Sequence, residues 1–169
     1  HLSIRRQRQM CIRDRIRGIV KRASHAEDWE VWGSFEAFNG LMEEPTRLIK
    51  LDEKAVAGIH VRGGTILGTT NKGNPMSFPE KQPDGTYKSV NRIPWLVDRL
   101  KSKGFDAVIN IGGDGSQAIS QALFEAGMPV VGVPKTIDND LNSTDFTFGF
   151  QTAVPVSYTH LRAHETGRN

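Results

Sequence analysis

The strongest constraint on the fold is one stretch, Asp106–Asp145, whose pattern is strand, glycine turn, helix, strand and acidic loop. The apolar run Ala107–Ile111 is rich in β-branched residues, which favours a strand buried on both faces. Ser116–Glu125 has the apolar spacing of an amphipathic helix, and Gly127 is typical of a helix end. Met128–Val133 is the next predicted strand. This alternation predicts an α/β fold with a doubly wound, mostly parallel sheet.

The turn between the first strand and the helix has the sequence GGDGS. Its residues are Gly112, Gly113, Asp114, Gly115 and Ser116. A glycine turn that leads into a helix offers an anion backbone N–H groups and the positive end of the helix dipole. The carboxylate of Asp114 would repel a bare phosphate, so we expect a divalent cation such as Mg²⁺ between the two.

The second strand is followed by PKTIDND at residues 134–140. Because the carboxyl ends of parallel strands lie side by side, we expect Asp138 and Asp140 to face Asp114 across one cleft. Three carboxylates, the amine of Lys135 and a phosphate cradle predict a phosphoryl-transfer site. Each motif alone is also typical of an ordinary turn or polar loop, so the prediction depends on finding the two one strand apart.

GGDGS followed by PKTIDND resembles the 6-phosphofructokinase family, and the similarity extends over residues 16–154 through IRGIVKRA, WEVWGSFEAFNGL and VRGGTILGTT. The resemblance implies phosphoryl transfer from ATP to the 1-hydroxyl of fructose 6-phosphate, a step of glycolysis. It implies that Asp114 organises Mg²⁺ on the nucleotide phosphates and that Asp138 is the base for the sugar hydroxyl. Thr136 and Asp140 would hold fructose 6-phosphate and the metal shell. The phosphates would be cradled by Gly112, Gly113, Gly115 and Ser116.

The resemblance leaves the phosphoryl donor open between ATP and pyrophosphate. In the family, Gly at the position of Gly115 leaves room for ATP, whereas Asp there marks the pyrophosphate users. Lys135 stands where many ATP enzymes have Gly and pyrophosphate enzymes have Lys. We favour ATP, because a steric block is harder to evade than an extra cation is to tolerate. In the glycine-rich segment Arg62–Gly68 and the residues after it, many members have Arg where Asn71 falls, so Lys72 is our candidate for a phosphate ligand.

Both ends of the chain, residues 1–15 and 155–169, are predicted to be artefactual tails around a truncated N-terminal nucleotide-binding domain at 16–154. Arg5–Arg15 and Val156–Thr166 resemble reading frames of adapters used to prepare DNA libraries for sequencing. A nucleic-acid arm or a targeting presequence is the alternative for the basic N-terminus. Without the tails, Lys plus Arg falls from 22 to 15 and Asp plus Glu from 19 to 17, so the net charge changes from +3 to −2. The basic balance therefore does not indicate a nucleic-acid partner.

Three further expectations concern the nature of the parent protein. With no membrane-length apolar run, it is expected to be cytoplasmic and to have no membrane partner. The family implies a homo-oligomer, either a tetramer or a dimer. The parent protein is expected to be the active kinase, whereas the chain as given is expected not to turn over. An inactive nucleotide-binding fragment is the alternative of a different class, and kinases that share only a GGDG turn lack PKTIDND.

The middle of the chain supports several local predictions. Trp29–Phe35 is predicted as a strand and Ala55–His60 as a weak helix. Ile93–Lys103 is predicted as an amphipathic helix with Leu96, Val97 and Leu100 facing inward. Prolines are expected to exclude regular structure from Gly73–Lys88, with a turn at Asp84-Gly85 as the tip of a hairpin.

Overall fold

The computed structural model describes residues 2–151 except residues 27, 63, 71, 137, 138, 142 and 143. The helices are α1 (Leu2–Ala23), α2 (Asn39–Met42), α3 (Ile93–Ser102) and α4 (Asp114–Glu125). The strands are β1 (Val31–Ser34), β2 (Leu48–Leu51), β3 (Phe78–Lys81), β4 (Tyr87–Val90), β5 (Val108–Gly112), β6 (Val130–Thr136) and β7 (Phe148–Gly149). Within this part of the chain, β1 and β2 form an antiparallel pair, as do β3 and β4, and β5, β6 and β7 form a parallel sheet in that order.

The unit β5–α4–β6 confirms the predicted α/β fold. β5 and β6 are parallel neighbours in a register that runs from Val108 opposite Val130 to Gly112 opposite Pro134. β6 is longer than predicted, because Lys135 and the residue after it pair with β7. Helix α4 connects the two strands and packs on one face of the sheet.

Helices α3 and α4 both end in the same glycine-based motif. After α4, Gly127 has a φ of +85°, and the N–H of Met128 donates to the carbonyl of Leu123 at 3.0 Å. After α3, Gly104 has a φ of +79°, and the N–H of Phe105 donates to Leu100 at 3.1 Å. These bonds satisfy the last carbonyls of each helix and turn the chain back toward the sheet. The glycines thus place the starts of β5 and β6.

One hydrophobic core lies between α3, α4 and the sheet. The buried side of α3 is the predicted one, with Leu96, Val97 and Leu100 all at most 3% exposed. From α4, Leu123 is fully buried in the same cluster, with Ile119 packed against it. Burial of each such aliphatic side chain contributes roughly 1.5–3 kcal/mol, so this core fixes α4 on the sheet.

Helix α1 extends through most of the N-terminal tail that the sequence pattern excluded. The predicted domain excludes residues 2–15, whose sequence has no helical periodicity, yet this part of the chain is helical, because α1 begins at Leu2. Ile16 and Val20, four residues apart, are buried against Leu51 in a second hydrophobic core. Arg13 is also buried and donates from Nη1 to the carbonyl of Gly64. An arginine facing inward breaks the apolar stripe, which is why the pattern missed this part of the helix. The adapter origin of residues 1–15 and 155–169 stays a prediction.

Two local predictions about loops are corrected. Residues 55–60 form successive turns rather than a weak helix, because Gly58 has a φ of +64°. Residues 78–90 form a β-hairpin, so the prolines do not exclude regular structure there. Pro79 is tolerated because a two-stranded hairpin has free edges, where the missing N–H costs no ladder bond. The turn at Asp84-Gly85 is confirmed as the tip of this hairpin.

Within the described residues, no helix combines the length and the apolar character that crossing a bilayer requires.

Candidate functional site

The carboxyl ends of β5 and β6 bring two of the predicted motifs together. Gly112 is paired with Pro134, so the glycine turn leaves β5 beside the PKT segment of β6. The carbonyl oxygen of Lys135 lies 3.7 Å from the place that a Cβ on Gly113 would occupy. The glycine turn, which is the predicted phosphate-binding segment, and Lys135–Thr136 therefore lie side by side at the carboxyl ends of the parallel strands.

The glycine turn opens directly into α4. Gly113 is the residue before the helix and has an extended conformation, with its carbonyl accepting from the N–H of Ser116 and of Gln117 at 3.0 Å each. Among the described residues, no side chain caps this end of α4. Asp114 and Gly115, the first two helical residues, are exposed. This arrangement presents the positive end of the helix dipole, together with a carboxylate, to solvent.

The glycines of the turn differ in their surroundings. A Cβ at Gly112 would overlap the side chain of Ser116, so the glycine allows the strand to pass directly under the first turn of the helix. A Cβ at Gly115 would meet nothing within 4 Å. The surface at Gly115 is thus open, and any ligand above the turn can approach the backbone there.

The acidic loop after β6 is held by an asparagine between the two predicted acids. Asn139 has a φ of +52°, which asparagine tolerates better than most residues. Its Oδ1 accepts from the N–H of Thr147 at 2.8 Å, and its Nδ2 donates to the carbonyl of Asp145 at 3.2 Å. The buried Thr147 in turn donates from Oγ1 to the carbonyl of Thr136 at 2.9 Å. This network ties the loop back to the end of β6.

The predicted acids are only partly located by the structure. Asp140 is exposed, next to the anchored Asn139. Asp138 lies outside the described residues, so its predicted place opposite Asp114 stays a prediction. Among the described residues, no three acidic, histidine or cysteine side chains converge as a metal site would require.

Lys72 follows the first glycine-rich segment. It is exposed, and its N–H donates to Oγ1 of Thr70 at 3.0 Å. The segment before it is tied to the loop after β1, where the N–H of Glu36 donates to the carbonyl of Leu67 at 2.7 Å. The role of Lys72 as a phosphate ligand stays a prediction.

Sequence reasoning did not single out Asn139, Thr147, Asn110 or Gln117, all of which shape this edge of the sheet. Asn110, on β5, is a polar residue in an otherwise apolar strand, and that interruption was the available signal. Gln117 has the pattern of an ordinary helix-surface residue, and nothing local distinguishes it.

Comparison with known proteins places this site in a family. The phosphofructokinase family model matches residues 11–166, which is wider than the predicted 16–154. The chain is 43% identical over 153 residues to ATP-dependent 6-phosphofructokinase 1 of Synechocystis sp., covering 89% of this chain and 41% of that protein. It is 45% identical over 142 residues to ATP-dependent 6-phosphofructokinase 3 of Streptomyces coelicolor, covering 84% of this chain and 38% of that protein.

Among solved structures, the pyrophosphate-dependent phosphofructokinase of Marinobacter aquaeolei matches with a TM-score of 0.62 and 22% identity, over 84% of this chain and 34% of that one. At that identity the likeness supports the fold alone. The chain spans about two fifths of the length of the curated relatives it matches. A family match over most of the chain, on a structure that joins the glycine turn to the PKT segment, shows that this chain belongs to the phosphofructokinase family.

Proposed function

We propose that this chain is part of an ATP-dependent 6-phosphofructokinase, which converts fructose 6-phosphate to fructose 1,6-bisphosphate in glycolysis. The observation that carries the proposal is the pairing of Gly112 with Pro134, which sets the glycine turn beside Lys135–Thr136 in a chain of this family. Phosphoryl transfer needs a positively polarised cradle for the donor next to a place for the acceptor. The two neighbouring strand ends can supply both.

The donor side of the proposed site is the first turn of α4. Backbone amides around Gly113, Gly115 and Ser116 would bind phosphate oxygens. The exposed carboxylate of Asp114 suits Mg²⁺, which binds through one or two carboxylates together with substrate phosphates. Bound Mg²⁺ would supply charge neutralisation for the phosphates. Lys135 and Lys72 are proposed as additional cations for them.

The acceptor side is the loop that follows β6. Asp138 would take the proton from the 1-hydroxyl of the sugar as a general base. Thr136 and Asp140 would orient fructose 6-phosphate and complete the metal shell. The bonds from Asn139 and Thr147 restrain the described part of this loop, next to Asp140 and Thr136. Such a restraint favours catalysis because the reacting groups need not be ordered in the transition state.

Two observations favour ATP over pyrophosphate as the donor. A Cβ at Gly115 would meet nothing within 4 Å, which is consistent with room for a nucleotide, and both curated relatives reported above are named ATP-dependent. Lys135 is the feature that favours the pyrophosphate alternative. For the full-length protein we further propose a cytoplasmic homo-oligomer, a dimer or a tetramer. A nucleotide-binding fragment without turnover is the alternative for the chain alone.

Isothermal titration of the chain with ATP and Mg²⁺, followed by a coupled assay for fructose 1,6-bisphosphate, tests the proposal. We expect saturable binding that EDTA abolishes. Asp114→Asn should weaken binding at least about tenfold, because it removes the proposed metal carboxylate. Asp106→Asn is the matched control, since Asp106 is an exposed residue that precedes β5, at the opposite end of the strand.

The other outcomes separate the alternatives. Tighter binding of Mg-pyrophosphate than of Mg-ATP would assign pyrophosphate as the donor. Binding of Mg-ATP without product formation would identify a nucleotide-binding fragment. Equal affinities of wild type, Asp114→Asn and Asp106→Asn would contradict the assigned metal residue.

A further inference from the structure

The side chain of Gln117 connects helix α4 to two neighbouring strands at once. Its Nε2 donates to the carbonyl of Gly112, the last residue of β5, at 3.0 Å. The same nitrogen donates to the carbonyl of Val133, in β6, at 3.3 Å. Gln117 is half-buried, so these bonds are partly shielded from competing water. One amide therefore bridges the ends of the two strands from which the proposed site is built.

The two acceptors of the bridge lie side by side where the strands end. Gly112 is paired with Pro134 in the parallel register, and Val133 is the residue before that proline. The amide of Gln117 therefore adds a side-chain connection between β5 and β6 at their carboxyl ends.

Glycine at position 132 makes room for the bridge. A Cβ on Gly132 would overlap the carboxamide of Gln117. Gly132 stands in the middle of β6, where glycine lowers strand stability because it has no side chain to pack. The close approach of Gln117 gives a physical reason for a glycine at this position.

Asn110 makes the reciprocal connection from the sheet to the helix. Its Nδ2 donates to the carbonyl of Ser116 at 2.8 Å and to the hydroxyl of Ser120 at 2.9 Å. Ser120 is buried, and its own hydroxyl donates to the same Ser116 carbonyl at 3.1 Å. The first turn of α4 is thus tied to β5 by Asn110 and to both strands by Gln117.

We propose that Gln117 is a positioning residue that sets the distance between the glycine turn and Lys135–Thr136. Without its two bonds, the carboxyl ends of β5 and β6 lose their side-chain connection and are held by the backbone register alone. The separation of the donor and acceptor sides would then vary. The assignment of these two sides rests on the proposed function, whereas the bridge between the strands does not depend on it.

The variant Gln117→Met tests the inference, because methionine has a similar length and no amide. Gln121→Met is the matched control: Gln121 lies one turn further along α4, is exposed and bonds only to Glu125 among the contacts identified, at 2.8 Å. At a temperature where all variants are folded, we expect Gln117→Met to bind Mg-ATP about tenfold more weakly and Gln121→Met to bind as wild type does. A purely structural role would lower the melting temperature of Gln117→Met and leave its affinity unchanged, which would overturn the proposal.

Backbone amide NMR of the ligand-free chain separates this inference from the proposed function. In Gln117→Met, the amide signals of Gly113–Ser116 and of Lys135–Thr136 should both shift relative to wild type, and in Gln121→Met they should not. If wild type fails to bind Mg-ATP, the proposed function loses its support while these spectra still decide the inference. Unchanged signals in both segments would contradict it. If Gln117→Met does not fold, Gln117→Asn takes its place, because its shorter amide cannot reach both carbonyls.

Discussion

The chain contains two glycine-rich segments, Arg62–Gly68 and Gly112–Gly115, and the structure requires their glycines for different reasons. In the first segment, Gly64 and Gly68 have φ values of +77° and +71°, which side chains of L-residues rarely adopt. In the second, Gly112 has no left-handed φ, and the side chain of Ser116 occupies the place of its Cβ. The two segments are therefore similar in composition but differ in why they need glycine. The first needs it for backbone conformation and the second for packing.

The surroundings of the two segments explain the difference. The second lies between a strand and a 12-residue helix, so both of its ends are held by regular structure. The described residues of the first lie outside the helices and strands, and a backbone bond from Glu36 to Leu67 ties them to the loop after β1. A turn between regular elements can place a backbone reproducibly against a ligand. A segment held by loop contacts has fewer such restraints.

The largest expected effect is that of Gly112→Ala. The added methyl group overlaps Ser116, and such overpacking should lower the free energy of unfolding by about 2–3 kcal/mol. Gly115→Ala is the control: the space there is open, and alanine is the better helix former by about 0.8–1 kcal/mol, so stability should stay equal or rise. Urea unfolding of the two variants measures both effects. Equal stabilities would contradict the packing requirement.

The next largest expected effect is on stability, and it distinguishes the two segments by whether asparagine can replace their glycines. Gly64→Ala places a Cβ in a left-handed conformation, which costs about 1–2 kcal/mol although the space around it is open. Asparagine adopts this conformation more easily, so Gly64→Asn should recover part of the loss. At Gly112, asparagine is larger than alanine and should be no better. Thermal unfolding of the four variants gives the comparison, and recovery by asparagine at Gly112 would refute it.

The sequence predicts the second segment better than the first, because regular elements flank it. Apolar periodicity identified the buried side of α3 at Leu96, Val97 and Leu100, as the structure confirms. A local pattern could not reveal Gln117, whose role depends on its contacts with Gly132 and Val133 on another strand. The charge of the inward-facing Arg13 interrupts the apolar pattern of α1. The sequence therefore did not indicate this part of the helix, which tertiary packing stabilises.

Ligand binding provides a third test of the open space at Gly115. Gly115→Asp should weaken the binding of Mg-ATP about tenfold or more, because a carboxylate enters the space above the turn and repels phosphate. Gly115→Asn has nearly the same shape without the charge, so it measures the steric contribution alone. If both variants lose affinity equally, steric exclusion alone accounts for the weaker binding of Mg-ATP. If neither does, the space above Gly115 is not part of the donor site.

The smallest expected effect concerns the exposed ion pairs beside the first segment. Arg47 donates from Nη2 to both Glu36 and Glu43 at 3.0 Å, and Glu36 is the residue that bonds to Leu67. The hydrogen bond from Arg47 is the main reason that the pKa of Glu43 is lower than its ordinary value. Because the folded pKa is lowered, the stabilisation is present in full above the unfolded pKa and is lost as the pH falls through the folded value. That loss is expected below about pH 4.

Carboxyl NMR titration of wild type and Arg47→Met tests this pair. In the variant, the pKa of Glu43 should return to its ordinary value. Glu30 is an internal control, because its lowered pKa depends first on the hydrogen bond from Lys50 and should not change. The Arg47 pairs are exposed, so added salt should weaken them, whereas the half-buried amide bonds of Gln117 should respond little. Backbone amide hydrogen exchange measures how strongly added salt loosens each glycine-rich segment. If salt affects both segments equally, the side-chain amide of Gln117 does not hold the second one.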